Sequence, residues 1–192
     1  MEHQKLFSKS SLKKGYMRYI NKALGLSCFP DMATLKIFPN GKEITESFGA
    51  FEATKRFIPF FNHADNNLDI VCVGDGRTPR TAATFAFLTK NKVYSIDPNL
   101  KTPEYFEKNI QRLKCLRSKV EDIDFNSEKV IIVAVHSHAP LNKVLENIKG
   151  DQRALVAIPC CISHKHSKNP DLEYNDPGIW SQKNLVKIWT EI

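Results

Sequence analysis

The sequence predicts an α/β fold: one mostly parallel sheet with helices on both faces. Short apolar, β-branched runs at residues 70–73, 93–96, 130–135 and 155–158 have the length and composition of buried strands. Helix-forming stretches separate them, the alternation that builds parallel sheets with right-handed crossovers. The first run ends in Gly74-Asp75-Gly76, a turn at the carboxyl end of a strand, where open α/β sheets bind ligands.

Residues 1–64 read as a basic, helical extension with a hairpin, packed on the core. Residues 65–192 read as the cofactor-binding core of what is overall one compact domain. The extension opens with Lys5, Lys9, Lys13, Lys14, Arg18 and Lys22 among apolar residues, and Met17, Ile20 and Leu24 share a helical face. Two readings fit: a phosphate-contacting arm with Tyr16 available for stacking, or a docked surface helix with a solvated lysine face. Asn40-Gly41 between the runs 35–38 and 43–45 signals a hairpin. Residues 48–61 follow as a helix that Pro59 ends or kinks.

In the core, Thr78 is placed to cap a helix and Pro79 to be its first residue. Ala82, Ala83, Phe85, Ala86 and Phe87 carry that helix. The next strand ends in Asp97, which can accept both hydroxyls of a ribose. Thr102-Pro103-Glu104 starts a helix running towards Leu113. A strand at 119–121 brings Asp122, with Asp124 as the alternative, to the same sheet edge. Residues 130–135, almost wholly apolar, form the central fourth strand; a helix at 140–148 and a strand at 155–158 follow. Loop signals at Asn169-Pro170 and Asp176-Pro177-Gly178 leave 185–190 as one further strand or a short helix.

The strand, glycine turn, helix and strand from Leu68 to Pro98 resemble the nucleotide-binding half of class I S-adenosylmethionine-dependent methyltransferases. Gly74-Asp75-Gly76 matches the Gly-x-Gly of their first motif, and Asp97 matches their ribose-binding acid. The resemblance implies a Rossmann-like methyltransferase fold with strand order 3-2-1-4-5, trimmed at its C-terminal edge. It implies S-adenosylmethionine as cofactor, with Gly74, Asp75, Gly76 and Arg77 at its methionine end. Asp97 then takes the ribose, and Asp122 lies beside the adenine. Cys72 stands where the family usually has an acid, and Thr78 where a third glycine is common. The dinucleotide fingerprint is broken at Thr81 or Ala82, which disfavours NAD or FAD.

Four of the six histidines follow two strands, as His136-Ser137-His138 and Cys160-Cys161-Ile162-Ser163-His164-Lys165-His166. Three readings compete. His136 or His138 acts as general base or orients the acceptor, with His136, His138 and Cys160 converging near the transferable methyl. Alternatively, Cys160, Cys161, His164 and His166 bind zinc, although this spacing is not a standard one. Finally, the cysteines are small buried residues and the histidines ordinary loop residues. The functional expectation is methyl transfer to an unidentified acceptor, with RNA preferred. The alternatives are a catalytically degenerate module that binds RNA or a protein, and another nucleotide-using Rossmann enzyme.

The chain has 192 residues, enough for one α/β domain, and its net charge of +7 permits an anionic partner such as RNA through the N-terminal face. Five cysteines, an odd number without framework spacing, fit the cytoplasm or another reducing compartment. No apolar run approaches membrane-spanning length, and no signal-peptide pattern opens the chain.

Overall fold

The computed structural model describes residues 9–160 and 168–192, with side chains described from residue 15. Its strands are β1 (Leu68–Val73), β2 (Lys92–Ile96), β3 (Leu113–Leu116), β4 (Phe125–Val135), β5 (Ile148–Ile158), β6 (Leu172–Asn175) and β7 (Leu185–Trp189). They form one sheet in the order β3-β2-β1-β4-β5-β7-β6. The first five are parallel. β7 runs antiparallel to β5, and β6 antiparallel to β7. From β1 the chain builds to one edge through β2 and β3, then returns to its other side through β4, which makes β1/β4 the switch point.

The helices are α1 (Lys9–Leu24), α2 (Phe29–Thr34), α3 (Gly41–Phe57), α4 (Arg80–Leu88), α5 (Pro103–Asn109) and α6 (Leu141–Asn147). Alternate strand residues feed two cores. Ile70, Ile131 and Val156 pack with Phe48, Phe51 and Phe85 on one face. Val71, Ile132 and Leu155 pack with Val144 and Trp189 on the other. Because both faces are covered, the strands read as continuous apolar runs, each buried Val, Leu or Ile contributing about 1.5–3 kcal/mol. β4 and β5 are longer than their apolar stretches, since their first halves alternate partly buried with exposed polar residues.

Several expectations need correction. Asn40-Gly41 makes no hairpin. The Asn40 side chain caps α3 by accepting a hydrogen bond from the Glu43 amide at 3.2 Å, and Gly41 is the first helical residue. α3 therefore starts seven residues before the predicted 48 and stops at Phe57, with Ile58 already extended ahead of Pro59. α1 buries Tyr19 and Ala23, while Met17 and Leu24 are 37% and 63% exposed. Tyr19 is fixed by donating its hydroxyl to the buried Asp176 at 2.6 Å, and Arg18 pairs with the same carboxylate. Tyr16 stacks on Trp180 at 5.1 Å between ring centroids.

The third strand lies at Leu113–Leu116, and Val120–Asp122 is a single 3-10 turn. The switch comes at Arg112, whose φ of +64° ends the preceding turn and whose guanidinium donates to the Ala86 and Thr89 carbonyls. The C-terminal edge carries two short antiparallel strands, so the sheet is completed to seven strands and not trimmed. Trp189 anchors that edge, 1% exposed, its indole N–H donating to the Lys168 carbonyl at 2.9 Å. No described helix is long and apolar enough to cross a membrane.

Candidate functional site

β1 delivers the chain into a turn where Gly74 has φ +74° and Gly76 φ +86°. A side chain at Gly74 would meet the loop after β4: its Cβ would stand 2.7 Å from Ser137 Cβ and 2.9 Å from Ser137 Cα. Glycine is thus required twice over, by conformation and by contact. The Gly74 amide donates to the Ile96 carbonyl at 2.8 Å, which ties the turn to the end of β2.

Asp97 follows β2 directly and is 7% exposed. Its Oδ2 accepts from the Gly76 amide at 2.8 Å and its Oδ1 from the Asn99 amide at 2.7 Å. Each oxygen keeps a second lone pair for a ligand hydroxyl. Asp97 lines a cleft of about 260 Å³ together with Gly74, Ile96, Val120, Glu121 and His138. Apolar Val73, Ile96 and Val120 beside polar Asn99, Ser118 and Lys119, with one fixed carboxylate, have the character of a small-molecule site. A cavity of about 330 Å³ lies elsewhere, between α1, α3 and the end of β6.

The predicted site residues divide. Gly74, Asp97 and His138 share the cleft wall. Gly76 touches it through Asp97. Asp75 turns away: its carboxylate accepts from the Thr81 amide at 2.8 Å and the Ala82 amide at 3.0 Å, and from the Ser95 hydroxyl at 3.0 Å. Asp75 is therefore the cap of α4, and the helix's free N–H groups are satisfied by the protein itself. Burial pushes the Asp75 carboxyl up, against the pull of Arg80 and the helix amides. Thr78 is not the cap; its hydroxyl donates to the Ile37 carbonyl at 2.7 Å and ties the turn to the loop before α3. Arg77 is exposed and away from the cleft wall. Asp122 is exposed on the 3-10 turn, and its neighbour Glu121 lines the cleft instead.

His136, His138 and Cys160 do not converge on one pocket. His138 lines the cleft. Cys160 lines a separate hollow with Asn175 and Lys183, its thiol 3.7 Å from the His136 carbonyl. His136 faces α3, with Nε2 2.8 Å from Glu46 Oε1. Of the proposed zinc ligands, Cys161, His164 and His166 lie outside the described residues. Among the described residues no group of three His, Cys, Asp or Glu could hold a metal.

The sequence offered no signal for the cluster around His136. Glu46 is 1% exposed, and Lys42 Nζ also lies 2.8 Å from its Oε1. One turn earlier Glu43 pairs with Arg80 at 2.5 Å. Burial opposes ionisation of Glu46, but the facing His136 and Lys42 outweigh it and hold its carboxyl below the usual range. Reading residues 43–45 as a hairpin strand hid this spacing; as part of α3, Glu43 and Glu46 share one helical face.

No protein-family model matches the chain, and no curated protein matches it. Solved structures do. A point mutant of MtNAS determined with S-adenosylmethionine aligns with a TM-score of 0.51 at 10% identity, over 94% of this chain and 77% of that one. The same mutant without that description aligns with a TM-score of 0.51 at 13% identity, over 93% and 74%. A protein of Methanococcus maripaludis, described as an S-adenosylmethionine-dependent methyltransferase, aligns at 16% identity with a TM-score of 0.47. This chain spans 66% of its length, and 82% of this chain is covered. At such identities the likeness is one of fold.

Proposed function

We propose that this chain, which has the Rossmann-like fold of class I S-adenosylmethionine-dependent methyltransferases, binds that cofactor and transfers its methyl group. The observation that carries this reading is Asp97, fixed by two backbone amides on the wall of the cleft beside the Gly74 turn. Its residues fit a nucleoside: lone pairs of Asp97 remain for the ribose, Ile96 and Val120 offer apolar contact, and Gly74 adds no side chain. When bound, S-adenosylmethionine supplies a methyl group that is already activated, so the protein's work is alignment and proton handling. Calorimetry with S-adenosylmethionine and S-adenosylhomocysteine tests the reading; absence of binding of either at millimolar ligand removes it.

For the acceptor we favour RNA. The chain carries a net charge of +7. Arg18, Lys22 and Arg56 line the cavity of about 330 Å³ beside the end of β6. β6 runs in the direction of β5, because both are antiparallel to β7. That cavity therefore opens at the same rim of the sheet as the Asp97 cleft. A reducing compartment is supported by the free thiols of Cys28, Cys72 and Cys115.

The degenerate-module alternative rests on a trimmed C-terminal edge, which β7 and β6 complete, and on Cys72 and Thr78. Both have structural roles: Cys72 is buried in β1, where burial pushes its thiol up, and Thr78 holds the loop before α3. Neither blocks the cleft, so neither argues against the cofactor.

A further inference from the structure

The Gly74 turn has a second side. The cleft with Asp97, Val120 and His138 accounts for one side of it. On the other stand Glu43 and Glu46 of α3, Lys42, Arg80 at the start of α4, and His136. Arg80 links this cluster to the turn, since its guanidinium lies 3.0 Å from where a Cβ on Gly76 would be. Ser137, which packs on Gly74, separates His138 in the cleft from His136 in the cluster.

Two features of the cluster bear on chemistry. Glu46 Oε2 is buried without a hydrogen-bond partner, and the contacts to Oε1 from Lys42 and His136 are close ion pairs without hydrogen-bond alignment. Burying a carboxylate so poorly satisfied is costly. His136 has φ +48°, a left-handed conformation that a histidine adopts at a cost. Its amide is held by the Ile158 carbonyl at 2.8 Å, so the conformation is imposed by the end of β5. Strain and an under-satisfied buried charge meet at one contact, at the ligand-binding edge of the sheet.

We propose that Glu46 and His136 form the acceptor side of the site, where His136 receives the proton of a nitrogen nucleophile and Glu46 is its positioning residue. This rests on the methyltransferase reading. Glu43 and Glu46 balance Arg80 and Lys42 in charge without counting His136. Hydrogen on Nε2, the nitrogen 2.8 Å from Glu46 Oε1, leaves the lone pair on Nδ1. In the transfer the acceptor's N–H bond breaks and its proton goes to Nδ1. The N–C bond forms as the S–C bond breaks, and the S–C electron pair stays on sulfur. Positive charge passes from the sulfonium through the nitrogen to the imidazole, and Glu46 is the fixed anion that faces it. Cys160 places its thiol 3.7 Å from the His136 carbonyl.

The test needs no known acceptor. Sinefungin carries an amine-bearing carbon where S-adenosylmethionine carries its sulfonium and methyl, whereas S-adenosylhomocysteine carries a neutral thioether sulfur there. Wild type should bind sinefungin at least tenfold more tightly than S-adenosylhomocysteine by calorimetry at pH 7.5. The ratio should fall towards one in Glu46→Gln and recover partly in Glu46→Asp, with S-adenosylhomocysteine affinity unchanged throughout. Equal affinities for the two ligands in wild type overturn the proposal and leave the cofactor reading intact; so does a preference that survives Glu46→Gln. Failure of both ligands to bind overturns both. The wild-type comparison stands even if Glu46→Gln does not fold.

Discussion

Gly74 and Ser137 touch so closely that the end of β1 and the loop after β4 behave as one piece of structure. This contact sets the mouth of the cleft. Gly74→Ala should cost about 2–4 kcal/mol, combining overpacking with a left-handed φ. Urea unfolding measures it. Adding Ser137→Gly should return only the side-chain share of the overpacking, because Ser137 Cα remains 2.9 Å from the added Cβ, and the double-mutant cycle reports that coupling.

Asp97 is the residue on which cofactor affinity should depend most. Asp97→Ala removes a charged acceptor and frees the Gly76 and Asn99 amides from their partner. Loss of about 1.5–3 kcal/mol in S-adenosylmethionine binding is expected if the ribose bonds to the ionised carboxylate. An unchanged calorimetric affinity in a folded variant would place the nucleoside elsewhere.

Glu46 gives the fold a recognisable acid sensitivity. Its folded-state carboxyl is held below the usual range, so the unfolded chain takes up its proton first as pH falls. The contribution is fully present above the unfolded value of about 4.3 and is lost as pH drops through the folded value. Unfolding free energies between pH 6 and pH 3 should therefore decline less steeply in Glu46→Gln than in wild type. Identical slopes would show that the Glu46 carboxyl binds its proton equally well in the folded and unfolded states.

Asp75 tests the opposite role for an acid in the same region. It is 3% exposed and serves α4, so Asp75→Ala should lower stability by about 1–3 kcal/mol through loss of the cap and orphaned amides. Asp75→Asn, which keeps one acceptor oxygen, should cost less. Any change in cofactor affinity should follow the loss of fold and not precede it; a folded Asp75→Asn with abolished binding would return Asp75 to the ligand.

The central sheet was legible because its strands are buried on both faces, and only apolar β-branched runs satisfy that. Asp97 was legible because a polar residue ending such a run has little else to do. The N-terminal half misled for a physical reason: Asn-Gly suits both a tight hairpin and a helix cap, and the choice is made by the rest of α3 downstream of it. Asp75 misled because a carboxylate beside a glycine turn can serve a ligand or the following helix equally well. His136 and His138 are two residues apart, yet the left-handed turn at His136 sends them to opposite sides of the Gly74 loop. No periodicity encodes that reversal. Glu46 became visible only once α3 brought it against a residue ninety positions later.

The basic cavity between α1, α3 and β6 makes the last prediction. Arg18 is committed to the buried Asp176, but Lys22 pairs with Glu52 at the surface, and exposed pairs of that kind contribute only about 0–1 kcal/mol. Arg56 lies over the Phe57 ring at 4.9 Å, which orders its guanidinium without neutralising it. Lys22 and Arg56 are therefore the cations that a phosphate can recruit at little cost. If RNA is the acceptor, a fluorescein-labelled decauridine should bind with an affinity that falls steeply with salt. Each phosphate contact should add about 0.7 to the log–log slope. Arg56→Glu should weaken binding at least fivefold and lower that slope by about one contact, while S-adenosylmethionine affinity at the distant Asp97 cleft stays the same. Fluorescence anisotropy across a salt series reads both quantities. An affinity indifferent to salt and to Arg56→Glu would exclude this cavity as the phosphate site, leaving a small or uncharged acceptor as the partner of the Glu46–His136 pair.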